Sequence, residues 1–277
     1  MIEKTKLYAV IGDPIKHSKS PLMHNAAFKA LKMNAEYKAI HVPESELGEF
    51  VDYAKNNLEG FNVTVPHKKN IIQYLDYISD ECKVTQSVNT ISVKNGKLYG
   101  ESTDGYGLEA AVFEAFSVPL QNNDFLFLGA GGTVNAVSYH FLNNGAESVF
   151  IVNRTLSKAE AIIERLKQSF PQKNIRCAQS NDLDTINEML DSVKVVIQAT
   201  SLGLNDSDPS PMPKKLMRPN ICMFDAIYKI TKFLQDAEKS SCSISPGHSM
   251  LIHQGAKSFE IWTGTKPNIE VMRQALE

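Results

Sequence analysis

Lys68 and Asp104 are the titratable side chains of this 277-residue sequence that are best placed for chemistry. Each stands where a predicted strand is followed by a predicted helix, and ligands of α/β proteins bind beyond the carboxyl ends of parallel strands. A lysine beside an aspartate in such a cleft can transfer a proton during reduction of a carbonyl. Taken singly, Asp104 also suits a helix N-cap and Lys68 a solvated surface position, so their shared setting is what favours a catalytic pair.

The segment GFNVTVPHKKN, residues 60–70, gives Lys68 an unusual position. Residues 61–65 predict a short strand, and Pro66 suits the first turn of a following helix, where its missing N–H is no loss. Cations are unfavourable near the positive end of a helix dipole. Either this turn is open to water, or a lysine here faces an anionic or proton-exchanging ligand.

Hydroxyl and amide side chains follow other predicted strands. Ser18 and Ser20, in HSKSP, can hold a carboxylate together with backbone N–H groups, although Ser20 also suits the cap of the next helix. Thr64 and Asn89 lie at strand ends that converge on the same rim, where ladder-edge or turn hydrogen bonding is the alternative role. The histidines and the four scattered cysteines lack triad or metal-ligand spacing, which predicts that the protein holds no metal.

The segment FLFLGAGGTVNAV has the strand, glycine turn and helix that place a pyrophosphate on a helix N-terminus. Gly129 and Gly131 permit the tight turn and a close approach of the backbone. Val134 occupies the third glycine position of the strict motif, and Ala136 serves as the small packing residue. Helix-capping loops also contain glycines, so this motif alone leaves nucleotide binding open.

The end of the next predicted strand favours NADP over NAD. Proteins that bind NAD place an Asp or Glu about 20 residues on, to accept the ribose 2′-hydroxyl. Here the strand ends in VNRT without an acid, and Arg154 is joined by Lys158 one helical turn later. An arginine suits a 2′-phosphate both as a charge and as a planar donor; a solvated surface arginine is the alternative.

Strands and helices alternate from the start of the chain, which predicts a largely parallel sheet covered by helices. Asn95-Gly96, between two alternating runs, predicts a β-hairpin followed by a helix over residues 106–116. Pro119 and the polar residues 121–124 predict a linker, after which a second series of strands and helices begins. The last helices carry no further strands in this interpretation.

The predicted fold class is α/β, with an N-terminal α/β domain of mostly parallel sheet over residues 1–118. A C-terminal Rossmann-type dinucleotide-binding domain covers residues 119–247, the helices of residues 248–277 pack back on the first domain, and a cleft lies between the two.

Composition is that of an ordinary globular enzyme, with 43% apolar and 22% charged residues. A formal net charge of -2 gives no general attraction to nucleic acid or to anionic membrane. No apolar run approaches the roughly 18 residues of a membrane span, and the N-terminal sequence lacks a signal-peptide core. The scattered cysteines fit a reduced, cytoplasmic location.

Eight motifs, in order along nearly the whole chain, resemble the shikimate dehydrogenase family: IGDPIKHSKSPLMHN, NVTVPHK, VNTI, TDGYG, LGAGGT…A, NRT, ATSLG and GHSML…QGAKSFEIWTG. The resemblance implies reversible, NADPH-linked reduction of 3-dehydroshikimate to shikimate in the pathway to aromatic amino acids. It also implies that the N-terminal domain binds the substrate and the C-terminal domain the cofactor. The sequence leaves a monomer and a homodimer open.

The resemblance further implies a role for each matching residue. Lys68 and Asp104 are the catalytic residues that hydrogen-bond the ring oxygens, and Lys68 relays the proton. Ser18 and Ser20 bind the substrate carboxylate. The polar shell around the ring hydroxyls consists of Thr64, Asn89, Tyr228 and Gln254. The cofactor is bound by Gly129, Ala130, Gly131, Gly132 and Thr133 at the pyrophosphate, by Asn153, Arg154, Thr155 and Lys158 at the 2′-phosphate, and by Thr200 and Gly247 along the rest of its path.

Four features depart from the family pattern. Ser102 replaces an asparagine before TDG, the segment after Tyr228 is short, Ser249 replaces a glycine and Asn135 an arginine. The last two lie on the expected cofactor path and predict a weaker affinity for NADP. Two alternatives stay open. One is a paralogue that oxidises quinate, or both quinate and shikimate; Ser20 in place of a threonine argues against it. The other is a nucleotide-binding regulatory protein without turnover.

Overall fold

The computed structural model describes residues 4–277, which divide into two compact units. The chain up to Gly107 forms the first unit together with Ile252–Glu277, and Leu108–Leu251 forms the second. The predicted boundaries after residues 118 and 247 differ from these points, and which unit binds substrate and which binds NADP stays a prediction. Within the described range, no helix is both long and apolar enough to cross a bilayer.

The first unit is built on a six-stranded mixed sheet of order β2-β1-β3-β5-β6-β4. Its elements in chain order are β1 (Lys6–Gly12), α1 (Ser20–Ala30), β2 (Ala35–His41), α2 (Leu47–Asn57), β3 (Gly60–Val63), α3 (His67–Asn70), β4 (Tyr77–Ile78), α4 (Asp80–Thr85), β5 (Thr90–Lys94), β6 (Lys97–Glu101) and the first turn of α5 (Asp104–Phe116), whose later residues belong to the second unit, with short 3-10 helices at Glu44–Glu46 and Ile71–Tyr74. β1 is parallel to β2 and β3, as predicted, whereas β5 is antiparallel to both of its neighbours.

The predicted hairpin is confirmed between β5 and β6. Asn95 and Gly96 have φ values of 53° and 71°, the left-handed conformation that a two-residue hairpin turn requires. β4 and α4 were not predicted. A strand of two residues and a helix of six carry too little periodicity to be recognised.

The second unit is built on a parallel sheet of order β12-β11-β10-β7-β8-β9. Its elements, and the helices that follow, are β7 (Asp124–Leu128), α6 (Gly132–Asn143), β8 (Ser148–Asn153), α7 (Leu156–Ser169), β9 (Asn174–Gln179), α8 (Leu183–Met189), β10 (Val193–Gln198), β11 (Cys222–Asp225), α9 (Lys232–Glu238), β12 (Ile244–Pro246), α10 (His248–Thr263) and α11 (Ile269–Gln274), with a short 3-10 helix at Lys214–Leu216. This is the Rossmann strand order, which reverses between β7 and β10, and it confirms the predicted fold. The expectation of no strand before the last helices is wrong, because β12 extends the sheet.

Both faces of the second sheet are covered, so its central strand β7 is a continuous apolar run from Phe125 to Leu128 rather than alternating with polar residues. Alternate side chains of β7 point to opposite faces. Phe125 and Phe127 pack with Phe141 of α6, while Leu126 and Leu128 belong to the core that contains Phe233 of α9.

In the first unit, the end of the chain packs with its beginning. Trp262 of α10 donates its indole N–H to the carbonyl of Ile91 on β5 at 2.9 Å, and its ring centroid lies 5.2 Å from that of Tyr8 on β1. The elements that position the candidate site therefore come from both ends of the sequence.

Candidate active site

Lys68 and Asp104 form an ion pair in the first unit. Lys68 lies on α3 and Asp104 is the first residue of α5, and Lys68 Nζ is 2.6 Å from Asp104 Oδ2. Their side chains are 22% and 8% exposed, so the pair is largely withdrawn from water while the lysine can still be reached. Charge-assisted hydrogen bonds this short are strong. The two strand–helix junctions singled out in the sequence thus bring their side chains together.

The position of Lys68 beside Pro66 has a structural explanation. Pro66 is the N-cap of α3 rather than its first residue, and α3 spans four residues, so little dipole opposes a cation. Lys69 is exposed, whereas Lys68 is the lysine in the ion pair. The buried His67 donates from Nε2 to the carbonyl of Val42 at 2.6 Å, which anchors the short helix.

Asn89 holds the second oxygen of the carboxylate. Its Nδ2 donates to Asp104 Oδ1 at 2.8 Å, so both carboxylate oxygens are engaged. Its Oδ1 accepts from the Thr103 N–H at 2.8 Å and from the Thr90 hydroxyl at 2.9 Å, which fixes the orientation of the amide. Gln254 Oε1 is 3.5 Å from the same Nδ2. Asn89 and Gln254 therefore stand beside the ion pair.

The other predicted substrate residues of this unit follow the neighbouring parallel strands β1 and β3. Ser20 is 7% exposed and is the first residue of α1, so its interpretation as the helix cap is wrong. Ser18 is half-buried, and its Oγ accepts from the Ser20 N–H at 3.3 Å. Thr64 is half-buried, and its N–H donates to the carbonyl of Ile11 at 2.9 Å.

Buried polar side chains that were not predicted as site residues surround Asn89. Asn62 Nδ2 lies 3.0 Å from the carbonyl of Asn89 and 3.0 Å from Ser258 Oγ. Tyr37 donates its hydroxyl to Asn62 Oδ1 at 2.7 Å. Two signals were present in the sequence: Asn62 interrupts an apolar strand, and Ser258 follows Gln254 by one helical turn.

In the second unit, β7 leads through a glycine turn into α6. Gly129 has a φ of +113°, and a Cβ there would lie 3.0 Å from the carbonyl of Ala199, so glycine is required. Gly131 is the N-cap of α6, and no described side chain caps this helix. Its first N–H groups are therefore available to bind an anion. A Cβ on Gly131 or Gly132 would meet nothing within 4 Å, so the space in front of those groups is open. The same turn contains Ala130 and Thr133.

Arg154 and Lys158 lie just after β8 and in the first turn of α7. Both are exposed, and neither forms an ion pair with any described residue. Asn153 Nδ2 donates to the carbonyl of Thr155 at 2.8 Å, which shapes the turn that carries Arg154. Two unpaired cations this close in the chain attract a phosphate dianion.

Thr200 and Gly247 follow β10 and β12 in the same unit. The buried Gln198 accepts from the Thr200 N–H and donates to the carbonyl of Leu202 at 2.7 Å, so it holds the loop that carries Thr200. A Cβ on Gly247 would collide with the carbonyl of Ala226, so a side chain does not fit there.

Tyr228 also lies in the second unit, where it is 43% exposed and its ring centroid is 5.6 Å from that of His248. Its loop is held by Asp225, which accepts from the Thr231 hydroxyl at 2.6 Å and from the Ile227 N–H at 2.9 Å. Burial raises the pKa of the Asp225 carboxyl, and these two hydrogen bonds act against that rise. A role of Tyr228 in substrate binding stays a prediction.

The departures from the family pattern have local consequences. Asn135 Oδ1 accepts from Arg165 Nη2 at 3.0 Å, so a guanidinium reaches the first turn of α6 from α7. The buried Ser102 Oγ has no hydrogen-bond partner among the described residues, and the Asp104 carboxylate is held by other side chains. Ser249 is buried near the start of α10.

Between residues 4 and 277, no cluster of His, Cys, Asp or Glu side chains is arranged to hold a metal ion.

Three protein-family models match the chain in sequence order. They describe a shikimate dehydrogenase substrate binding domain over residues 10–91, a shikimate / quinate 5-dehydrogenase over residues 112–211, and a shikimate 5′-dehydrogenase C-terminal domain over residues 247–277.

Known proteins match over almost the full length. The shikimate dehydrogenase (NADP+) of Thermococcus kodakarensis is 40% identical over 275 residues, which cover 98% of this chain and 96% of that protein. The crystal structure of shikimate dehydrogenase from Aquifex aeolicus covers 100% of both chains at 36% identity, with a TM-score of 0.88. That of shikimate 5-dehydrogenase from Thermus thermophilus in complex with NADP(H) and shikimate covers 98% of both chains at 30% identity, with a TM-score of 0.86.

Proposed function

We propose that this chain, which belongs to the shikimate dehydrogenase family, is an NADP-dependent oxidoreductase that reversibly reduces 3-dehydroshikimate to shikimate in aromatic amino acid biosynthesis. The observation that carries this function is the 2.6 Å contact between Lys68 Nζ and Asp104 Oδ2. It joins an acid–base group to a carboxylate that lies 36 residues away in sequence. The 40% identity to a shikimate dehydrogenase (NADP+) supports both substrate and cofactor.

The proton that reduction of a carbonyl requires comes from Lys68 in this proposal. The Lys68 ammonium donates a proton to the carbonyl oxygen of the substrate, which becomes the hydroxyl, and in oxidation the amine takes the proton back. The Asp104 carboxylate orients the amine and accepts a hydrogen bond from a ring hydroxyl. NADPH, when bound, supplies the hydride to the carbonyl carbon.

The remaining polar residues of the first unit fit a ring that carries hydroxyls and one carboxylate. Ser18 and Ser20 present hydroxyl groups to the carboxylate, while Thr64, Asn89 and Gln254 accept and donate to ring oxygens. A site built around hydroxyls rejects analogues that lack them, because its own polar groups are then left unpaired.

The residues of the second unit fit NADP. The uncapped N-terminus of α6 offers N–H groups to a pyrophosphate. The space in front of these groups is open because Gly131 and Gly132 have no side chains, and a Cβ at either residue would enter it. Arg154 and Lys158 supply positive charge for a 2′-phosphate, and the carboxylate that would accept a ribose 2′-hydroxyl is missing from VNRT.

The proposal is tested by mixing the purified protein with shikimate or quinate and with NADP or NAD, while following the absorbance of the reduced nicotinamide. The highest kcat/KM is expected for shikimate with NADP. A preference for quinate would support the paralogue, and no turnover with any pair would support the regulatory protein and overturn the proposal.

The site assignment is tested by substitution. Lys68→Ala and Asp104→Ala should each lower kcat by roughly 10²–10⁴-fold, the range of lost acid–base catalysis. Lys69→Ala is the matched control, since Lys69 is the exposed neighbour outside the ion pair. Near wild-type turnover in both test variants would remove Lys68 and Asp104 from the mechanism.

We also propose that the protein works in the cytoplasm, as a monomer or homodimer, without nucleic acid or membrane partners. All four cysteines are free, which suits a reducing compartment. A net charge of -2 favours neither nucleic acid nor anionic lipid.

A further inference from the structure

A continuous path of buried hydrogen bonds runs through the first unit from Tyr37, which lies beside Ser20, to Asp104. Tyr37, on β2, is 2% exposed, and its hydroxyl donates to Asn62 Oδ1 at 2.7 Å. The Ser20 side chain lies within reach of that hydroxyl and acts against the rise in the Tyr37 pKa that burial causes. Asn62, on β3, is 7% exposed, and its Nδ2 donates to the carbonyl of Asn89 at 3.0 Å. Asn89 in turn donates to Asp104 Oδ1 at 2.8 Å.

The sheet itself does not require this path. Asn62 stands between the buried Phe61 and Val63, at a position where an apolar side chain would carry no desolvation cost. The amide is instead fully engaged, since its Nδ2 also lies 3.1 Å from Thr90 Oγ1 and 3.0 Å from Ser258 Oγ. A buried polar network that is fully satisfied makes its surroundings rigid.

We infer that Tyr37 and Asn62 are positioning residues, which hold Ser20 at a fixed distance from the ion pair of Lys68 and Asp104. The inference rests on the proposed function, in which Ser20 binds the substrate carboxylate and the ion pair acts at the reacting oxygen. The substrate ring keeps the carboxylate and the reacting oxygen at a fixed separation. If Ser20 moves relative to the ion pair, the substrate cannot contact both correctly, and a displacement of 1 Å lowers the rate by about 10²-fold.

The test is Tyr37→Phe, which removes one oxygen atom and keeps the ring. The matched control is Tyr8→Phe in the same unit: Tyr8 is 3% exposed and packs on Phe28, and its hydroxyl has no hydrogen bond to a described residue. Tyr37→Phe should raise KM for shikimate and lower kcat/KM for shikimate by about 10- to 100-fold. KM for NADP should not change, and Tyr8→Phe should match wild type.

A double-mutant cycle with Ser20→Ala shows whether Tyr37 acts through Ser20. Once Ser20 is removed, Tyr37→Phe should have a clearly smaller effect on kcat/KM for shikimate, because residues in one network are not additive. Loss of folded protein would instead lower kcat for every substrate and leave each KM unchanged. Asn62→Ser, too short to bridge Tyr37 and Asn89, gives a second variant should Tyr37→Phe fail to fold, and it should show the same split.

The outcomes separate the inference from the proposed function. Wild-type protein that oxidises neither shikimate nor quinate would overturn the proposed function, and the inference with it. An active wild type in which Tyr37→Phe and Asn62→Ser keep the wild-type KM for shikimate, or in which Tyr37→Phe and Ser20→Ala are additive, would overturn the inference alone.

Discussion

His24 is fully buried in the first unit, with its ring stacked on that of Tyr37 at a centroid distance of 4.3 Å. Neither ring nitrogen has a hydrogen-bond partner among the described residues. Burial lowers the pKa of His24 from 6.5 to about 3, because the charged ring would lose its water without gaining a partner.

The lowered pKa of His24 predicts a loss of stability on acidification. The unfolded chain takes up the proton below about pH 6.5, whereas the folded chain resists until about pH 3. The stabilising contribution is therefore complete above pH 6.5 and declines as the pH falls toward 3, by about 1.4 kcal/mol per pH unit. Urea unfolding at several pH values should give a flatter profile for His24→Phe than for wild type.

A matched comparison uses the exposed His17, whose replacement by Gln should leave the wild-type profile in place. Parallel profiles for wild type and His24→Phe would mean that His24 is protonated within the fold, contrary to its burial.

At the scale of elements, two turns contain a glycine for different reasons: one glycine has an extended backbone and the other a left-handed one. Gly131, before α6, has φ −88° and ψ −175°, an extended conformation that any residue adopts. Gly96, in the hairpin between β5 and β6, has φ +71°, which disfavours a side chain. A Cβ would meet nothing within 4 Å at either position.

These two positions predict opposite effects of an alanine substitution. Gly131→Ala should leave the free energy of unfolding unchanged and weaken NADP binding, because its methyl group enters the space in front of the α6 N–H groups. Gly96→Ala should cost about 1–2 kcal/mol of stability and leave NADP affinity unchanged. Urea unfolding and calorimetric titration with NADP measure both quantities. Equal NADP affinity of wild type and Gly131→Ala would place the pyrophosphate elsewhere.

The elements that the sequence predicts well are those with strong local signals. The segment KLYAVIG predicts a strand with the bounds that β1 has, and Asn95-Gly96 predicts the hairpin between β5 and β6. β4, α4, α8 and β12 were missed, since two- to seven-residue elements show no clear period.

Local signals also explain what the sequence reveals of the site. Lys68 and Asp104 were singled out because strand–helix junctions can be recognised within a few residues. Ser258 and Asn62 lie 196 residues apart, and nothing in either segment shows that they meet. Tyr37 looks like an ordinary aromatic residue of a strand until its hydroxyl is seen to donate to Asn62.

At the scale of the whole molecule, each unit has its own candidate site, and this predicts separate responses to the two ligands. Shikimate alone should slow amide hydrogen exchange in residues 62–70 of the first unit. NADP alone should slow it around the glycine turn, residues 129–134, of the second. Hydrogen-exchange mass spectrometry measures both, and Gly131→Ala should remove only the response to NADP. Protection of residues 62–70 by NADP alone would contradict the assignment of ligands to units.

In the first unit, Gln254 and Ser258, which contact Asn89 and Asn62, come from the last helices of the chain. The second unit, Leu108–Leu251, is one continuous segment. During translation, the middle of the polypeptide can therefore collapse around its own sheet while the N-terminal strands still wait for α10 to leave the ribosome. Until then the amide of Asn62 and the hydroxyl of Thr90 lack Ser258, so a nascent chain can complete its second unit before the candidate site of the first unit is finished.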